Sequence, residues 1–115
     1  MSVIKVGNIS NVDNTQVYQY VVETGTTATG GWRLWSDGFF EEWGRITGYN
    51  ASITITFSKT FADTNYSIQQ GEIGRSGADP YVNGVFYSSL AVDSVVAVLR
   101  NDGTNTYMWR VCGYT

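Results

Sequence analysis

Short segments of alternating hydrophobic and polar residues, separated by turn-forming residues, run along this chain. The clearest is residues 52–58 (SITITFS), in which Ile53, Ile55 and Phe57 alternate with hydroxyl-bearing residues. A period of two places the three apolar side chains on one face of a β-strand, toward a core. Further strands are expected around residues 3–6, 16–23, 66–70 and 95–99, with the continuous apolar run at 95–99 covered on both faces, and no segment has convincing helical periodicity.

Asp-Gly between two aromatic segments predicts a tight hairpin at Asp37-Gly38, because Asp and Gly tolerate the positive φ angles of a two-residue turn. That turn fixes the register of the two strands. It gives three cross-strand pairs, Trp35–Phe40, Arg33–Glu42 and Trp32–Trp43.

Two further turns are predicted, at residues 82–85 and at Asn101-Asp102-Gly103. The second would pair Val98 with Tyr107 and Val96 with Trp109. Residues 25–31 and 73–79 have the composition of loops. Seven or more short strands joined by such turns predict an all-β fold, an antiparallel β-sandwich or a small barrel.

Composition supports this class and excludes several functions. The 115 residues suit one domain, and 15% aromatic with only 15% charged residues suits short strands better than amphipathic helices. The net charge of −3 without a basic run disfavours nucleic acid. No apolar run is long enough for a membrane-spanning helix, and no secretory signal is visible. With a single cysteine no internal disulfide can form, so we expect folding in the reducing cytosol.

Catalytic and metal-binding groups are scarce. The absence of histidine excludes Ser-His and Cys-His pairs and histidine-ligated metals, and the lone Cys112 is expected to be a buried, inert thiol. Glu41 and Glu42 are adjacent on a strand and should point to opposite faces, so they cannot share a substrate. We therefore expect no enzyme, no cofactor and no metal site, although carboxylate pairs with Asp79 or Asp93 stay open.

Three blocks resemble the C-terminal receptor-binding domains of phage tail fibres. They are residues 32–44 (WRLWSDGFFEEWG), 55–66 (ITFSKTFADTNY) and 107–114 (YMWRVCGY), in the order and spacing of that family. The residues that carry the resemblance most strongly, and for which it implies a structural role, are Trp32, Trp35, Ser36, Asp37, Gly38, Trp43 and Trp109.

The resemblance implies a homotrimeric β-sandwich at the distal tip of a virion fibre, formed by residues 16–115, with residues 1–15 leading toward a fibre shaft or another tail protein. Such a tip binds a bacterial surface glycan, as in lipopolysaccharide, or an outer-membrane protein for host attachment. It would fold in the host cytoplasm before assembly and would not insert into a membrane.

The loop at residues 73–84 is the best candidate for receptor contact, because amide, carboxylate, guanidinium and aromatic groups recognise carbohydrate and binding residues concentrate on loops. Its candidate residues are Arg75, Ser76, Asp79, Tyr81 and Asn83. The same composition also suits an ordinary solvated loop. The aromatic block at 32–43 is interpreted as packing rather than as a sugar platform, since its side chains alternate between two faces.

Two other functions stay open from the sequence. One is a carbohydrate-binding module that works as a monomer. The other is a trimerisation module of a fibre that makes no contact with a receptor.

Overall fold

The structure, a computed structural model, describes residues 19–75 and 84–115. These residues form eight β-strands and no helix, which confirms the all-β class. The strands are β1 (Val21–Thr26), β2 (Gly31–Trp35), β3 (Phe39–Gly48), β4 (Ser52–Thr56), β5 (Ser67–Arg75), β6 (Gly84–Ser88), β7 (Ser94–Arg100) and β8 (Asn105–Tyr114). The predicted connection at residues 1–15 lies outside the described part of the chain.

Two antiparallel sheets make a sandwich-like arrangement, one with the strand order β1-β2-β3-β8-β5 and the other with the order β4-β7-β6. One core cluster joins their inner faces, with Phe40 and Val111 from the larger sheet and Ile55 and Val95 from the smaller one. The alternation predicted for residues 52–58 is confirmed, because Ile55 and Phe57 are buried while the hydroxyl-bearing residues between them are exposed. Burial of these side chains is the main term that holds the two sheets together.

An aromatic cluster closes one end of the core. The rings of Phe57 and Phe61 meet edge-to-face at 5.4 Å, and the rings of Phe61 and Tyr66 stack at 4.6 Å. The Tyr66 hydroxyl donates to the backbone oxygens of Ala91 at 2.7 Å and Ser94 at 3.2 Å. These contacts attach the connection between β4 and β5 to the segment that precedes β7.

The β2–β3 hairpin forms where predicted, but its register differs by one residue. The observed pairs are Leu34–Phe40, Arg33–Glu41, Trp32–Glu42 and Gly31–Trp43, so the predicted pairs Trp35–Phe40, Arg33–Glu42 and Trp32–Trp43 are wrong. The loop has three residues, 36–38, rather than two. Gly38 donates its N–H to the Trp35 carbonyl at 2.9 Å and has a φ of 92°, while Asp37 accepts from the Phe39 N–H at 3.1 Å. A turn followed by a left-handed glycine is the usual geometry of a three-residue hairpin loop.

The predicted hairpin at residues 101–103 is wrong, because the chain crosses there from one sheet to the other. Strand β7 pairs with β4 and β6, and β8 pairs with β3 and β5, so neither Val98–Tyr107 nor Val96–Trp109 is a pair. Asn101 is buried and holds the crossing: its amide donates to the Gly48 carbonyl at 2.6 Å, and its backbone N–H donates to Asn50 at 2.7 Å.

Strand β7 is the centre of the smaller sheet. Its inward residues Val95, Ala97 and Leu99 are buried, whereas Val96 and Val98 on the other face are only partly covered. Within the described residues of one chain, the apolar run is therefore fully covered on one face only, and the cover of its second face stays a prediction.

The strand ends also differ from the sequence-based expectation. Strand β1 begins at Val21 and continues to Thr26, β2 begins at Gly31, and β5 continues to Arg75. Residues 25, 26, 31 and 73–75 are therefore strand rather than loop. Of the turn predicted at 82–85, the described residues Gly84 and Val85 belong to β6.

Candidate functional site

The loop candidates are only partly within the described residues. Arg75 is the last residue of β5, and its backbone pairs with Asn105. Ser76, Asp79, Tyr81 and Asn83 lie outside the described residues. Receptor contact by this loop stays a prediction.

A second surface is formed by the outer face of the five-stranded sheet. A shallow groove of about 470 Å³ runs across β2, β3, β8 and β5. We call it the sheet groove; its principal lining residues are Arg33, Glu41, Trp43, Gln69, Met108 and Arg110. Their side chains share a face because the registers of β2–β3, β3–β8 and β8–β5 place them at outward-pointing positions.

Glu41 is the polar centre of the sheet groove, with 8% of its surface exposed. Its Oε1 accepts from Arg110 Nη2 at 2.6 Å, and its Oε2 accepts from Trp35 Nε1 at 3.0 Å. Arg33 Nε lies 3.5 Å from the same Oε2. The short charge-assisted hydrogen bond fixes the Arg110 guanidinium against the carboxylate, and Arg33 adds a longer ion pair.

These partners determine the protonation of the pair. Burial raises the pKa of the Glu41 carboxyl, but the hydrogen bonds from Arg110 and Trp35 and the charges of Arg33 and Arg110 outweigh burial and hold that pKa below its usual value. The hydrogen bond to Glu41 raises the pKa of Arg110. Glu41 is therefore a carboxylate and a structural acceptor at neutral pH.

Trp43 forms the aromatic wall of the sheet groove. Its register partner on β2 is Gly31, and a Cβ at that glycine would lie 3.1 Å from the Trp43 ring. The missing side chain lets the indole lie across β2 while it stays partly exposed. The guanidinium carbon of Arg33 lies 5.1 Å from the ring centroid, a cation–π distance that restrains the arginine.

The opposite side of the sheet groove combines amide and thioether groups. Arg110 Nη1 donates to Gln69 Oε1 at 3.3 Å and to Cys112 Sγ at 3.4 Å. Met108 is 50% exposed, and its partner on β5 is Gly71. A Cβ added at Gly71 would have no atom within 4 Å. The groove is therefore open on this side. Cys112 is half-buried beside an arginine rather than fully buried as expected.

No protein-family model matches the chain, and no curated protein is significantly similar to it. Solved structures are similar in fold. The N-truncated tail fibre of an R1-type pyocin matches with a TM-score of 0.58 at 17% identity, over 99% of this chain and 100% of that one. The C-terminal fragment of the P. aeruginosa R2 pyocin fibre matches with a TM-score of 0.55 at 20% identity, over 80% of this chain.

The chain has the fold of a tail-fibre C-terminal domain. It spans 26% of the length of the R2 fibre fragment and 28% of a third match, the C-terminal fragment of the P. aeruginosa R1 fibre. The resemblance found in three sequence blocks is thereby confirmed at the level of the fold.

Within this tail-fibre fold, the residues of the aromatic motif divide between two faces, as the alternation predicted. Trp32 and Trp109 point inward, where Trp32 packs against Phe40 with ring centroids 6.0 Å apart and Trp109 is buried. Trp35 and Trp43 lie on the outer face, and residues 36–38 form the hairpin loop. The interpretation of the aromatic block as packing is correct for the inward residues. It did not foresee that Trp43 lines the sheet groove.

The two adjacent glutamates of the tail-fibre fold do point to opposite faces. Glu42 is 2% exposed on the inner face and accepts from the N–H and the hydroxyl of Ser58 at 2.8 and 2.9 Å. It cannot reach a substrate in the sheet groove with Glu41. Among the described residues there is no group of three or more metal-ligating Cys, Asp or Glu side chains, and no helix suited to crossing a membrane.

The sheet groove could not be found from local sequence. Its residues come from four strands that are up to 77 positions apart in the chain, from Arg33 to Arg110. One signal for the sheet groove was present in the strand pattern. The outward positions of β4 carry short hydroxyl residues, whereas those of β3 and β8 carry the larger side chains of Glu41, Trp43, Met108 and Arg110.

Proposed function

We propose that the chain is a non-enzymatic tip domain of a phage tail fibre, which binds a receptor on the bacterial surface for host attachment. The fold shared with pyocin tail fibres supports the place in a fibre. The resemblance of the three sequence blocks supports the role in receptor binding. The domain would be part of the virion and would fold in the host cytoplasm before assembly.

The sheet groove carries this proposal. It presents a partly exposed indole from Trp43, two guanidinium groups from Arg33 and Arg110, and the amide of Gln69 around one fixed carboxylate. Aromatic faces suit the apolar face of a sugar ring, and guanidinium and amide groups suit its hydroxyls. A bacterial surface glycan is therefore the receptor class we favour over an outer-membrane protein.

The loop at residues 73–84 is proposed as a second contact region. Arg75→Ala, Tyr81→Ala and Asn83→Ala test it, and none of them changes a lining residue of the sheet groove. Loss of binding in any of them would add the loop to the receptor site, and unchanged binding in all three would remove it.

A homotrimer is proposed from the outer face of the smaller sheet. Val98 pairs with Phe86 there, Phe86 is 48% exposed, and Val96 and Val98 are only partly covered. Contact between copies would bury this apolar patch and cover the outer face of β7, which is only partly covered within one chain. Three sites on one tip would then combine weak single contacts into firm attachment.

Adsorption measurements with Trp43→Ala test the proposed function. We expect this variant to lose about two- to tenfold in binding to bacterial cells, because an aromatic stacking contact contributes about 0.5–1.5 kcal/mol. Tyr49→Ala is the matched control, since Tyr49 is 57% exposed on the turn after β3. Equal binding by wild type and both variants would show that the sheet groove is not the receptor site.

Light scattering during size exclusion separates the two alternatives. A mass three times the 12.7 kDa chain supports the fibre tip. A monomer that binds sugars favours a carbohydrate-binding module, unless an upstream shaft holds the trimer. A trimer that binds no cell and no glycan favours a purely structural trimerisation module.

A further inference from the structure

The charges on the outer face of the larger sheet differ in sign from the charge of the whole chain. The chain has a net charge of −3. The outward positions of the described strands β2, β3 and β8 carry Arg33, Arg45 and Arg110 against the single acid Glu41. This face is therefore locally positive, although the protein is acidic.

The positive charge is concentrated in the sheet groove. Arg33 and Arg110 flank the same carboxylate from its two oxygens, Arg33 at Oε2 and Arg110 at Oε1. One carboxylate balances only one of the two guanidinium charges. The side chains of Arg33 and Arg110 keep 44% and 37% of their surface exposed, so both can also be reached from solvent.

The two guanidinium groups are held in place before any ligand arrives. Arg33 is restrained over the Trp43 ring, and Arg110 is bonded to both Glu41 and Gln69. Planar guanidinium groups restrained in this way bind the oxygens of carboxylates and phosphates through paired hydrogen bonds, and they lose little freedom on binding.

From these observations we infer that the sheet groove binds an acidic glycan unit, a sugar ring that carries a carboxylate or a phosphate, with the anionic group at Arg33 and Arg110. The sugar ring lies toward Trp43 and Met108, and the amide of Gln69 forms hydrogen bonds with its hydroxyls. The inference rests on the proposed function and names the chemical class of its receptor. It differs from a general sugar site in requiring the negative charge.

The test uses the full chain and three defined probes: glucuronic acid, glucose 6-phosphate and glucose, each displayed in many copies on a neutral polymer. We expect both anionic polymers to bind and the glucose polymer to bind at least tenfold more weakly. Binding to the anionic polymers should weaken as salt is raised, because the guanidinium groups stay partly exposed. A preference for only one anionic probe would identify whether carboxylate or phosphate is the natural group.

Arg33→Gln should weaken binding to the anionic polymers about tenfold and weaken binding to the glucose polymer by a clearly smaller factor, because glucose offers this side chain only hydroxyl groups. Lys59→Gln is the matched control: it removes one positive charge from the connection between β4 and β5, where Lys59 pairs with Glu23 at 2.9 Å and lines neither the sheet groove nor the Phe86 patch. Thermal unfolding of both variants reports whether they fold. If Arg33→Gln does not fold, the salt dependence of the wild-type protein decides the question.

Two results would overturn this inference and leave the proposed function intact. One is glucose binding as tight as the anionic probes, and the other is a folded Arg33→Gln that binds the anionic probes like wild type. A change in solution mass in Arg33→Gln, without loss of probe binding, would identify the groove as an interface between copies instead. Binding to a panel of bacterial strains is scored separately: wild-type protein that binds no strain and no probe would overturn the proposed function as well.

Discussion

The indole of Trp109 on β8 lies over Gly44, its register partner on β3. A Cβ at residue 44 would lie 2.7 Å from Trp109 Cζ2 and 2.8 Å from Thr29 Oγ1, closer than side-chain carbons approach each other. The absence of a side chain is therefore what allows this tryptophan to pack against the backbone of the neighbouring strand.

The same pairing recurs twice in the larger sheet. Trp32 lies over its partner Gly25 on the inner face, and Trp43 lies over its partner Gly31 on the outer face. Large rings opposite glycines cover the backbone that glycine leaves exposed, which is a recognised way to stabilise glycine within sheets. The arrangement positions one tryptophan for the core and another for the sheet groove.

Gly44→Ala should destabilise the protein by about 1–3 kcal/mol, because the added methyl group must displace the Trp109 ring. Gly71→Ala is the matched control, since it lies in β5 of the same sheet and no atom would meet its Cβ within 4 Å. Its stability should stay within about 0.5 kcal/mol of wild type. Chemical denaturation measures both; equal effects of the two variants would contradict the packing argument.

Glu42→Ala should cost about 1–3 kcal/mol, because it removes both acceptors of Ser58 from a buried site. Ser58→Ala should cost less, since the backbone N–H of residue 58 still donates to Glu42. Urea denaturation at neutral pH compares the two. A Glu42→Ala protein as stable as wild type would show that the carboxylate contributes nothing net to the fold.

The stability contributed by Glu41 should depend on pH. Its pKa is lower in the folded chain than the usual 4.5, so the folded state binds the proton less tightly than the unfolded state does. The stabilisation is therefore present above that usual value and is lost as the pH falls through the folded-state pKa. Glu41→Gln should be less stable than wild type at neutral pH, and the difference should shrink as the pH is lowered below 4.5. A constant difference across this range would contradict the ion-pair account.

Two tyrosines should respond oppositely to loss of their hydroxyls. Among the described residues nothing bonds the buried Tyr87 hydroxyl, whereas Tyr66 donates to Ala91 and Ser94. Tyr87→Phe should leave stability unchanged or slightly higher, and Tyr66→Phe should lower it by about 1 kcal/mol. Thermal unfolding at neutral pH separates these results, and a marked loss in Tyr87→Phe would disprove the first.

Alkaline pH gives an independent check on Tyr87. Burial raises the pKa of Tyr87 to about 12 from the usual 10.0, so the unfolded state ionises first and stability falls as the pH rises through this interval. Burial also raises the pKa of Tyr66. In Tyr87→Phe the stability should fall less steeply at alkaline pH than in wild type, and the remaining fall should be the part due to Tyr66.

The sequence was sufficient for the fold class and for much of the local structure. Alternation at residues 52–58 identified β4 and its inward face, because a period of two has only one interpretation when one side must be buried. The Ser-Asp-Gly segment located the hairpin between β2 and β3. It did not determine the register, since a Gly after Asp suits both a two-residue loop and a three-residue loop that ends in a left-handed glycine.

What local sequence could not determine was which strands become neighbours. Asn101-Asp102-Gly103 favours a turn, but whether the chain returns beside β7 or crosses to the other sheet depends on where β8 finds its partners, β3 and β5. That choice is made by burial of the whole inner face rather than by the turn.

By itself, then, the sequence determined an all-β chain, the positions of most of its strands, the opposite directions of Glu41 and Glu42 and the tail-fibre resemblance. The tertiary structure decided the register, the strand order and the sheet groove. The physical reason is distance along the chain: alternation and turn preference act over a few residues, whereas Arg33, Glu41 and Arg110 meet only because three strands pair in one particular order.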